Sequence, residues 1–309
     1  MSKRAIISIV ANSISRRRVL GGLGAAVTLA TVARPLRAAS SVRVGWTTDT
    51  EQSILGSMAA LIIEKKLGIA VARVPNLGGT GIAHQAIIDG SIDVYPDYTG
   101  DALANVLKMN PITSPNAAYE AVKKGYAEKY KISWLAPTPF NNTYALALKE
   151  TKAAELGITK ISDLASHAAQ WNLGSSIEFA GRPLDGYLGM AKHYGFKFGA
   201  IKPMDVGLMY TAIDNGDVDV VVAYATDARI GKVKLRVLQD DKEFFPAYNA
   251  AITVRQSVLA QYPTIQDAID KVMVTLDTNT QIRLNGRSDI ENVAPEKVAE
   301  EYLTQKGFL

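Results

Sequence analysis

The residues from Tyr95 to Asp101 bring aromatic and acidic side chains together in one short stretch. It reads Tyr-Pro-Asp-Tyr-Thr-Gly-Asp, so two tyrosines, one threonine and two carboxylates share a single turn. The stretch lacks the glycine spacing of a phosphate-binding loop. It suits instead a small cation held against aromatic faces, because the face of an aromatic ring attracts positive charge.

The elements around this stretch put it where ligands are commonly bound. Ile92, Val94 and Tyr95 predict a short apolar strand, and residues 102–107 predict the start of a helix. Pro96 and Gly100 mark the turn between the two elements. In open α/β sheets, ligands bind at such junctions between the end of a strand and a helix.

The same order of elements recurs later in the chain. Residues 84–94 and residues 210–220 each predict a helix that stops at a glycine and is followed by a strand, and Tyr224 follows the second strand. A helix, a glycine and a strand form a common joint in α/β proteins, but that joint alone does not account for tyrosines after both strands. Two similar lobes that face each other across a cleft account for both features.

Composition excludes several kinds of site. At 309 residues the chain is long enough for two domains. It contains no cysteine, which excludes disulfides, thiolate metal sites, cysteine nucleophiles and lipid attachment through cysteine. The three histidines lie far apart, without the spacing of a metal-binding motif. We therefore expect neither a metal ion nor a cofactor.

The positive net charge of the chain comes from its first 39 residues. These contain seven lysines and arginines and no acid, so removing them from the total of +4 leaves the remainder at −3. The basic character therefore does not indicate nucleic-acid binding.

Residues 1–39 predict an export signal. Ser15 and three successive arginines precede an apolar run from Gly21 to Ala33, and small residues near Ala38 and Ala39 suit cleavage. The arginines are typical of a twin-arginine signal, and an ordinary secretory signal is the alternative. Either signal predicts a mature protein that begins near residue 39 or 40 and lies in the periplasm. Without a cysteine, it should not be a lipoprotein.

The remaining chain predicts an α/β protein of two lobes joined by two hinge crossings. Lobe I takes residues 42–146 plus 249–309, and lobe II takes residues 147–248; the crossings are expected at residues 144–148 and 244–251. Closure around a ligand would rotate the lobes about these crossings. The pattern also predicts strands at residues 69–74 and 233–238, helices at 162–169 and 204–215, and a loop at 178–183.

Several motifs resemble those of the substrate-binding proteins of osmoprotectant ABC transporters, which bind glycine betaine, choline, carnitine and related quaternary amines. The resemblance covers nearly all of residues 42–309. The motifs occur in the family's order, as follows: Thr50-Glu51-Gln52, Asn76-Leu77-Gly78-Gly79-Thr80, Tyr95-Pro96-Asp97-Tyr98-Thr99-Gly100, Phe140-Asn141-Asn142-Thr143-Tyr144, Phe179-Ala180-Gly181-Arg182-Pro183 and Phe245-Pro246-Ala247-Tyr248-Asn249. The resemblance implies a type II periplasmic-binding-protein fold.

The resemblance also implies a cage of tyrosines that encloses the ligand's ammonium group. By motif position the binding residues of this sequence are Tyr98, Tyr144, Tyr224, Tyr248, Asp101, Arg182, Asn142 and Thr47. A trimethylammonium group cannot donate a conventional N–H hydrogen bond, and each ring face contributes on the order of 0.5–2 kcal/mol to holding it.

Two departures from the family pattern favour choline over glycine betaine. Thr47 stands where betaine-binding members commonly carry a lysine, and Asp101 stands where some betaine binders carry a threonine. The Asp101 carboxylate would repel the carboxylate of betaine and accept a hydrogen bond from the hydroxyl of choline. Arg182 matches the family's carboxylate-binding arginine, so two alternatives remain: it pairs with Asp101, or it still admits a zwitterion. Leu184 is an extra residue relative to the family's Arg-Pro-Asp-Gly loop.

The alternative class of function is an enzyme on a similar two-lobed fold. It would require a nucleophile with a base, a metal cluster or a cofactor lysine, and the sequence contains no such constellation. A binding protein for another amine or an amino acid is a further alternative. We expect a monomer whose partners are a small quaternary ammonium ligand and a membrane permease, with no nucleic acid.

Overall fold

The computed structural model describes residues 41–309, so the predicted export signal lies outside the described residues. The strands, in chain order, are β1 (Val42–Gly45), β2 (Val71–Val74), β3 (Val94–Tyr98), β4 (Ile132–Trp134), β5 (Tyr144–Lys149), β6 (Asn172–Ser176), β7 (Ala200–Met204), β8 (Val220–Tyr224), β9 (Leu235–Val237) and β10 (Ala250–Arg255). They form two five-stranded sheets, with the orders β2-β1-β3-β10-β4 and β7-β6-β8-β5-β9.

Helices connect these strands and cover the sheets. They are α1 (Thr50–Leu61), α2 (Thr80–Asp89), α3 (Thr99–Asp101), α4 (Pro115–Tyr130), α5 (Glu150–Leu156), α6 (Ile177–Gly181), α7 (Tyr187–Tyr194), α8 (Val206–Asn215), α9 (Arg229–Lys232), α10 (Gln256–Gln261), α11 (Thr264–Met273), α12 (Thr278–Asp289) and α13 (Pro295–Gln305). In residues 41–309, no helix is long and apolar enough to cross a membrane.

The two sheets share one plan, as the repeated helix-glycine-strand pattern predicts. In the first sheet β1 runs parallel to β2 and β3, while β10 is antiparallel to β3 and β4. In the second sheet β6 runs parallel to β7 and β8, while β5 is antiparallel to β8 and β9. The antiparallel strand in each sheet is the one that the chain enters directly from the other sheet.

The chain crosses between the sheets twice, and the two crossings run side by side. The backbone N–H of Asn142 donates to the carbonyl of Tyr248 at 3.1 Å, and the Thr143 hydroxyl donates to the carbonyl of Pro246 at 3.0 Å. All of β5 lies in the second sheet, beginning at Tyr144. The first crossing therefore lies before Tyr144, and the boundary expected after residue 146 falls inside a strand of the second sheet.

Some local expectations were wrong at the level of single elements. No pattern predicted β7, an edge strand whose residues are largely exposed. The helix expected at residues 162–169 is two short 3₁₀ turns, and the loop expected at 178–183 begins as α6, where the Ser176 hydroxyl accepts a hydrogen bond from the N–H of Phe179 at 3.1 Å. Residues 102–107 are helical, as predicted, but with the wider π-type turn. Strands β2 and β9 are shorter than expected, since flanking residues leave the sheet.

A buried carboxylate beneath the cleft should make stability depend on pH. Asp97 accepts hydrogen bonds from the backbone N–H of Tyr98 at 2.8 Å and from the Tyr126 hydroxyl at 3.0 Å. Burial, and next the nearby charge of Asp101, raise the pKa of Asp97 to about 7. A folded-state pKa above the ordinary value contributes stability at low pH, and this contribution is lost as pH rises through about 7.

We expect Asp97→Asn to reduce the loss of stability between about pH 5 and about pH 8 by roughly 2–3 kcal/mol. Unfolding by urea at both pH values measures the difference. Asp267→Asn, which removes an exposed carboxylate, serves as the control. An equal pH dependence in wild type and Asp97→Asn would contradict the prediction.

Candidate ligand-binding site

A cavity of about 330 Å³ lies between the two sheets. Seven of the eight predicted binding residues line it: Tyr98, Asp101, Asn142, Tyr144, Arg182, Tyr224 and Tyr248. The four tyrosines come from strand ends and crossings, as the sequence predicts, whereas Asp101 ends α3 and Arg182 follows α6. Tyr98 ends β3, Tyr144 begins β5 and Tyr224 ends β8.

Tyr144 is the centre of the aromatic side of this cavity. It pairs across the sheet with Tyr224, and the two ring centroids are 5.2 Å apart. Its ring also lies 5.2 Å from that of Tyr248 and 5.0 Å from that of Phe179, with steep angles between the planes. The tilted rings present faces in different directions, which is the arrangement that surrounds a compact cation.

Tyr248 is held in place by a glycine and a carboxylate. A Cβ atom at Gly100 would lie 2.5 Å from the Tyr248 ring, so only glycine lets the ring pack against α3. The Tyr248 hydroxyl donates to Asp185, whose side chain is fully buried. Asp185 follows the extra residue Leu184 in the Arg-Pro-Leu-Asp-Gly loop, but no pattern in the sequence predicts its contact with Tyr248.

Arg182 and Asp101 form an ion pair inside the cavity wall. Both side chains are more than nine-tenths buried. Arg182 also lies 3.4 Å from Asp185 and 3.7 Å from Glu178, and its guanidinium carbon is 5.6 Å from the centre of the Tyr144 ring. Burial raises the pKa of Asp101 to about 6, and the charge of Arg182 opposes the rise. Of the two alternatives for Arg182, the structure has the pairing with Asp101.

Thr47 does not line the cavity, although it was one of the predicted binding residues. Its side chain is buried in the loop after β1, where the hydroxyl lies 2.7 Å from Asp49 Oδ2 and 3.0 Å from Gln52 Oε1. The hydroxyl of Thr47 is therefore satisfied within its own loop.

Sequence reasoning missed Glu51, whose side chain accepts four hydrogen bonds in the cavity. Its Oε1 accepts from the Tyr98 hydroxyl at 2.8 Å and from Asn142 Nδ2 at 2.9 Å. Its Oε2 accepts from the Thr226 hydroxyl at 2.6 Å and from Asn285 Nδ2 at 2.8 Å. Glu51 stands in the motif Thr50-Glu51-Gln52, which was quoted without a role for the carboxylate.

The far end of the cavity carries a second group of charged side chains. Arg229 forms a two-point ion pair with Asp227 and lies 3.5 Å from Asp289. Asp289 belongs to α12, which packs with the first sheet's helices, and Arg229 follows β8 of the second sheet. The Thr50 hydroxyl donates to Asp289 at 2.5 Å. The contact between Arg229 and Asp289 therefore joins the two sides of the cleft.

Two α/β units with a ligand-sized cavity between them and paired crossings define a two-lobed periplasmic-binding-protein fold. A solved structure described as a glycine betaine/carnitine/choline ABC transporter matches with a TM-score of 0.74 and 34% identity, covering 87% of this chain and 99% of that chain. Residues 40–305 match the family described as the substrate-binding domain of ABC-type glycine betaine transport systems. The chain belongs to this family.

Named relatives agree with the family match. The glycine-betaine-binding protein of Pseudomonas aeruginosa is 39% identical over 285 residues, which cover 89% of this chain and 90% of the relative. The carnitine transport binding protein OpuCC of Listeria monocytogenes is 33% identical over 269 residues, which cover 87% of each. These relatives are transport binding proteins, and the chain is likewise a substrate-binding protein of an ABC transporter, not an enzyme.

Proposed function

We propose that this chain delivers a quaternary ammonium compound to its ABC permease, with choline favoured and glycine betaine next. The observation that carries the proposal is the cluster of Tyr144, Tyr224 and Tyr248 at one end of an acidic cavity. Together with Tyr98 these rings serve as an aromatic cage for the trimethylammonium group. Such a group is bulky and weakly hydrated, so ring faces replace water at little cost.

The charges around the cavity support a ligand with net positive charge. Its lining contains seven carboxylates and two arginines, as follows: Asp49, Glu51, Asp101, Glu178, Asp205, Asp227, Asp289, Arg182 and Arg229. Both arginines already pair with carboxylates. Choline carries one positive charge and no carboxylate, whereas betaine would bring another carboxylate into this surplus of negative charge.

The relatives' names refer to betaine and carnitine, so the preference for choline depends on residues of this chain. Asp101 neutralises the arginine that would otherwise meet a carboxylate, and Thr47 supplies no positive charge. Asp101 can also accept a hydrogen bond from the hydroxyl of choline. Asn142 also lines the cavity, where its amide donates to Glu51.

Isothermal titration calorimetry with choline, glycine betaine, carnitine, proline and histidine tests the function. We expect choline to bind most tightly and betaine next, with proline and histidine failing to bind because they lack a methylated ammonium that fills the cage. Binding of an amino acid in the absence of binding by any quaternary ammonium compound would overturn the proposal in favour of the alternative ligand class. Recovery of unchanged choline by mass spectrometry distinguishes binding from catalysis.

We also propose that the mature protein is a periplasmic monomer exported by the twin-arginine route. The seven basic residues and the apolar run within residues 1–39 support an export signal. We expect intact-mass measurement of protein from the cell envelope to give a chain that begins near residue 39 or 40. A mass that retains Met1 would contradict cleavage, and replacing Arg16 and Arg17 by lysine should block export if the route is twin-arginine.

A further inference from the structure

Glu51 is a buried carboxylate without a cationic partner in residues 41–309. Only 6% of its surface is exposed, and its four hydrogen bonds come from two hydroxyls and two amides. No lysine or arginine of the described chain forms an ion pair with it. The other acids most deeply buried in the cavity wall, Asp101 and Asp227, each pair with an arginine.

The hydrogen bonds of Glu51 favour its ionised form. The amides of Asn142 and Asn285 donate to it, and each of its oxygens accepts two bonds, so no proton is needed on either oxygen. Burial raises the pKa of Glu51, and the four hydrogen bonds oppose the rise. Neutral donors spread the negative charge but do not cancel it, and an isolated buried charge is costly unless a counter-charge comes to it.

Glu51 lines the cavity beside the tyrosines that are proposed to hold the ligand. The Tyr98 hydroxyl donates to its carboxylate, which makes the phenol ring richer in electrons. The other donors come from different parts of the fold: Thr226 follows β8, Asn285 lies in α12, and Asn142 lies in the first crossing. Asn285 also donates to the backbone carbonyl of Thr226 at 3.0 Å.

We propose that Glu51 supplies the counter-charge for the ligand's ammonium group and makes the closed site selective for positive charge. This rests on the proposed binding of a quaternary ammonium compound. The ring faces fit the trimethylated head and attract it weakly, and Glu51 adds a full negative charge opposite the ammonium. The four donors hold the carboxylate at a fixed place between the two sides of the cleft, so the charge meets the ligand only when both sides enclose it.

The test compares choline with 3,3-dimethylbutan-1-ol, in which a carbon atom replaces the ammonium nitrogen. The two probes have the same shape and hydroxyl and differ in charge. We expect Glu51→Gln to lower the ratio of choline affinity to neutral-analogue affinity by at least about tenfold relative to wild type. Gln can be accommodated because the Asn142 amide can turn over, since its Oδ1 has no hydrogen-bond partner within the described structure.

Two further variants separate the charge from the hydrogen-bond network. Thr226→Val removes one hydrogen-bond donor and keeps the Glu51 carboxylate. It should lower the affinity for both probes equally and leave the ratio of their affinities unchanged. The double variant Glu51→Gln/Asn142→Asp moves the negative charge from residue 51 to residue 142, its hydrogen-bond partner. It should restore the wild-type ratio. Because its Gln can donate to the new carboxylate, the double variant keeps the local hydrogen bonds, and it reports on the charge even if the single variant fails to fold.

The outcomes separate this inference from the proposed function. An unchanged ratio in folded Glu51→Gln, or a double variant whose ratio falls about tenfold below wild type, overturns the role of Glu51 while choline binding still stands. A wild-type protein that binds neither choline nor betaine overturns the proposed function, and the counter-charge role falls with it. A reduced ratio in the single variant together with a restored ratio in the double variant supports the inference.

Discussion

Tyr144→Ala should lower the affinities for choline and for glycine betaine together, each by about 10-fold to 100-fold. Tyr144 contacts Tyr224, Tyr248 and Phe179 at centroid distances of 5.0–5.2 Å, so its removal takes away one ring face and loosens the orientation of three neighbours. Both ligands present the same trimethylammonium group, and their affinities should therefore fall by similar factors. Calorimetric titration of both ligands measures the change.

The controls for Tyr144→Ala distinguish a lost ring face from lost stability. Tyr144→Phe keeps the ring and should retain affinity within about threefold, because a phenyl face also attracts cations. Tyr187→Ala removes an equally buried ring outside the cavity and should lower the melting temperature without changing affinity at temperatures where the protein is folded. Loss of affinity for only one of the two ligands in Tyr144→Ala would contradict a cage centred on this ring.

The parts of the fold that follow from local pattern could be predicted from the sequence. Apolar runs such as Val220–Tyr224, each preceded by a helix that ends at a glycine, gave the central strands, and the repeat of this unit gave the two sheets. β7 was not predicted, because an exposed edge strand has no buried face and therefore no apolar pattern in the sequence. The first crossing was misplaced because the apolar residues of β5 continue through the expected boundary at residue 146.

Seven of the eight predicted site residues line the cavity, and the four tyrosines among them stand at the strand ends and crossings where the motifs place them. Thr47 does not line the cavity, since its hydroxyl is short enough to stay within its own loop, against Asp49 and Gln52. The contact between Glu51 and Asn285 could not be predicted from the sequence. The two residues are 234 positions apart and meet only when α12 packs against the cleft. Long-range polar contacts of this kind leave no periodic signal in the chain.

Replacing Asp101 by Thr should shift selectivity from choline towards glycine betaine, lowering the ratio of choline affinity to betaine affinity by about 10-fold to 100-fold. In wild type the Asp101 carboxylate lies against Arg182 and cancels the charge nearest the aromatic side of the cavity. Without it, the more distant Asp185 and Glu178, at 3.4 Å and 3.7 Å, compensate Arg182 less well. The guanidinium can then attract the carboxylate of betaine, and choline loses an acceptor for its hydroxyl.

Asp101→Asn is the matched variant because it removes the charge and keeps the shape of the side chain. If charge governs selectivity, Asn and Thr should shift the ratio in the same direction. Glu178→Gln, which removes a half-exposed carboxylate near the same arginine, should have a small effect because solvent screens that contact. A shift with Thr but not with Asn would assign selectivity to the shape of the pocket instead of its charge.

The pH dependence of binding provides an independent check on Asp101. Its pKa is raised to about 6, chiefly by burial, so the carboxylate gains a proton as pH falls from about 8 to about 5. The protonated acid no longer neutralises Arg182, so the wild-type ratio of choline affinity to betaine affinity should fall over this range. Betaine keeps its carboxylate ionised and choline keeps its charge, so neither ligand contributes to the change. In Asp101→Thr the profile should be flat, and a slope equal to that of wild type would place the titrating group elsewhere and make Arg182 and its remaining carboxylates the next residues to test.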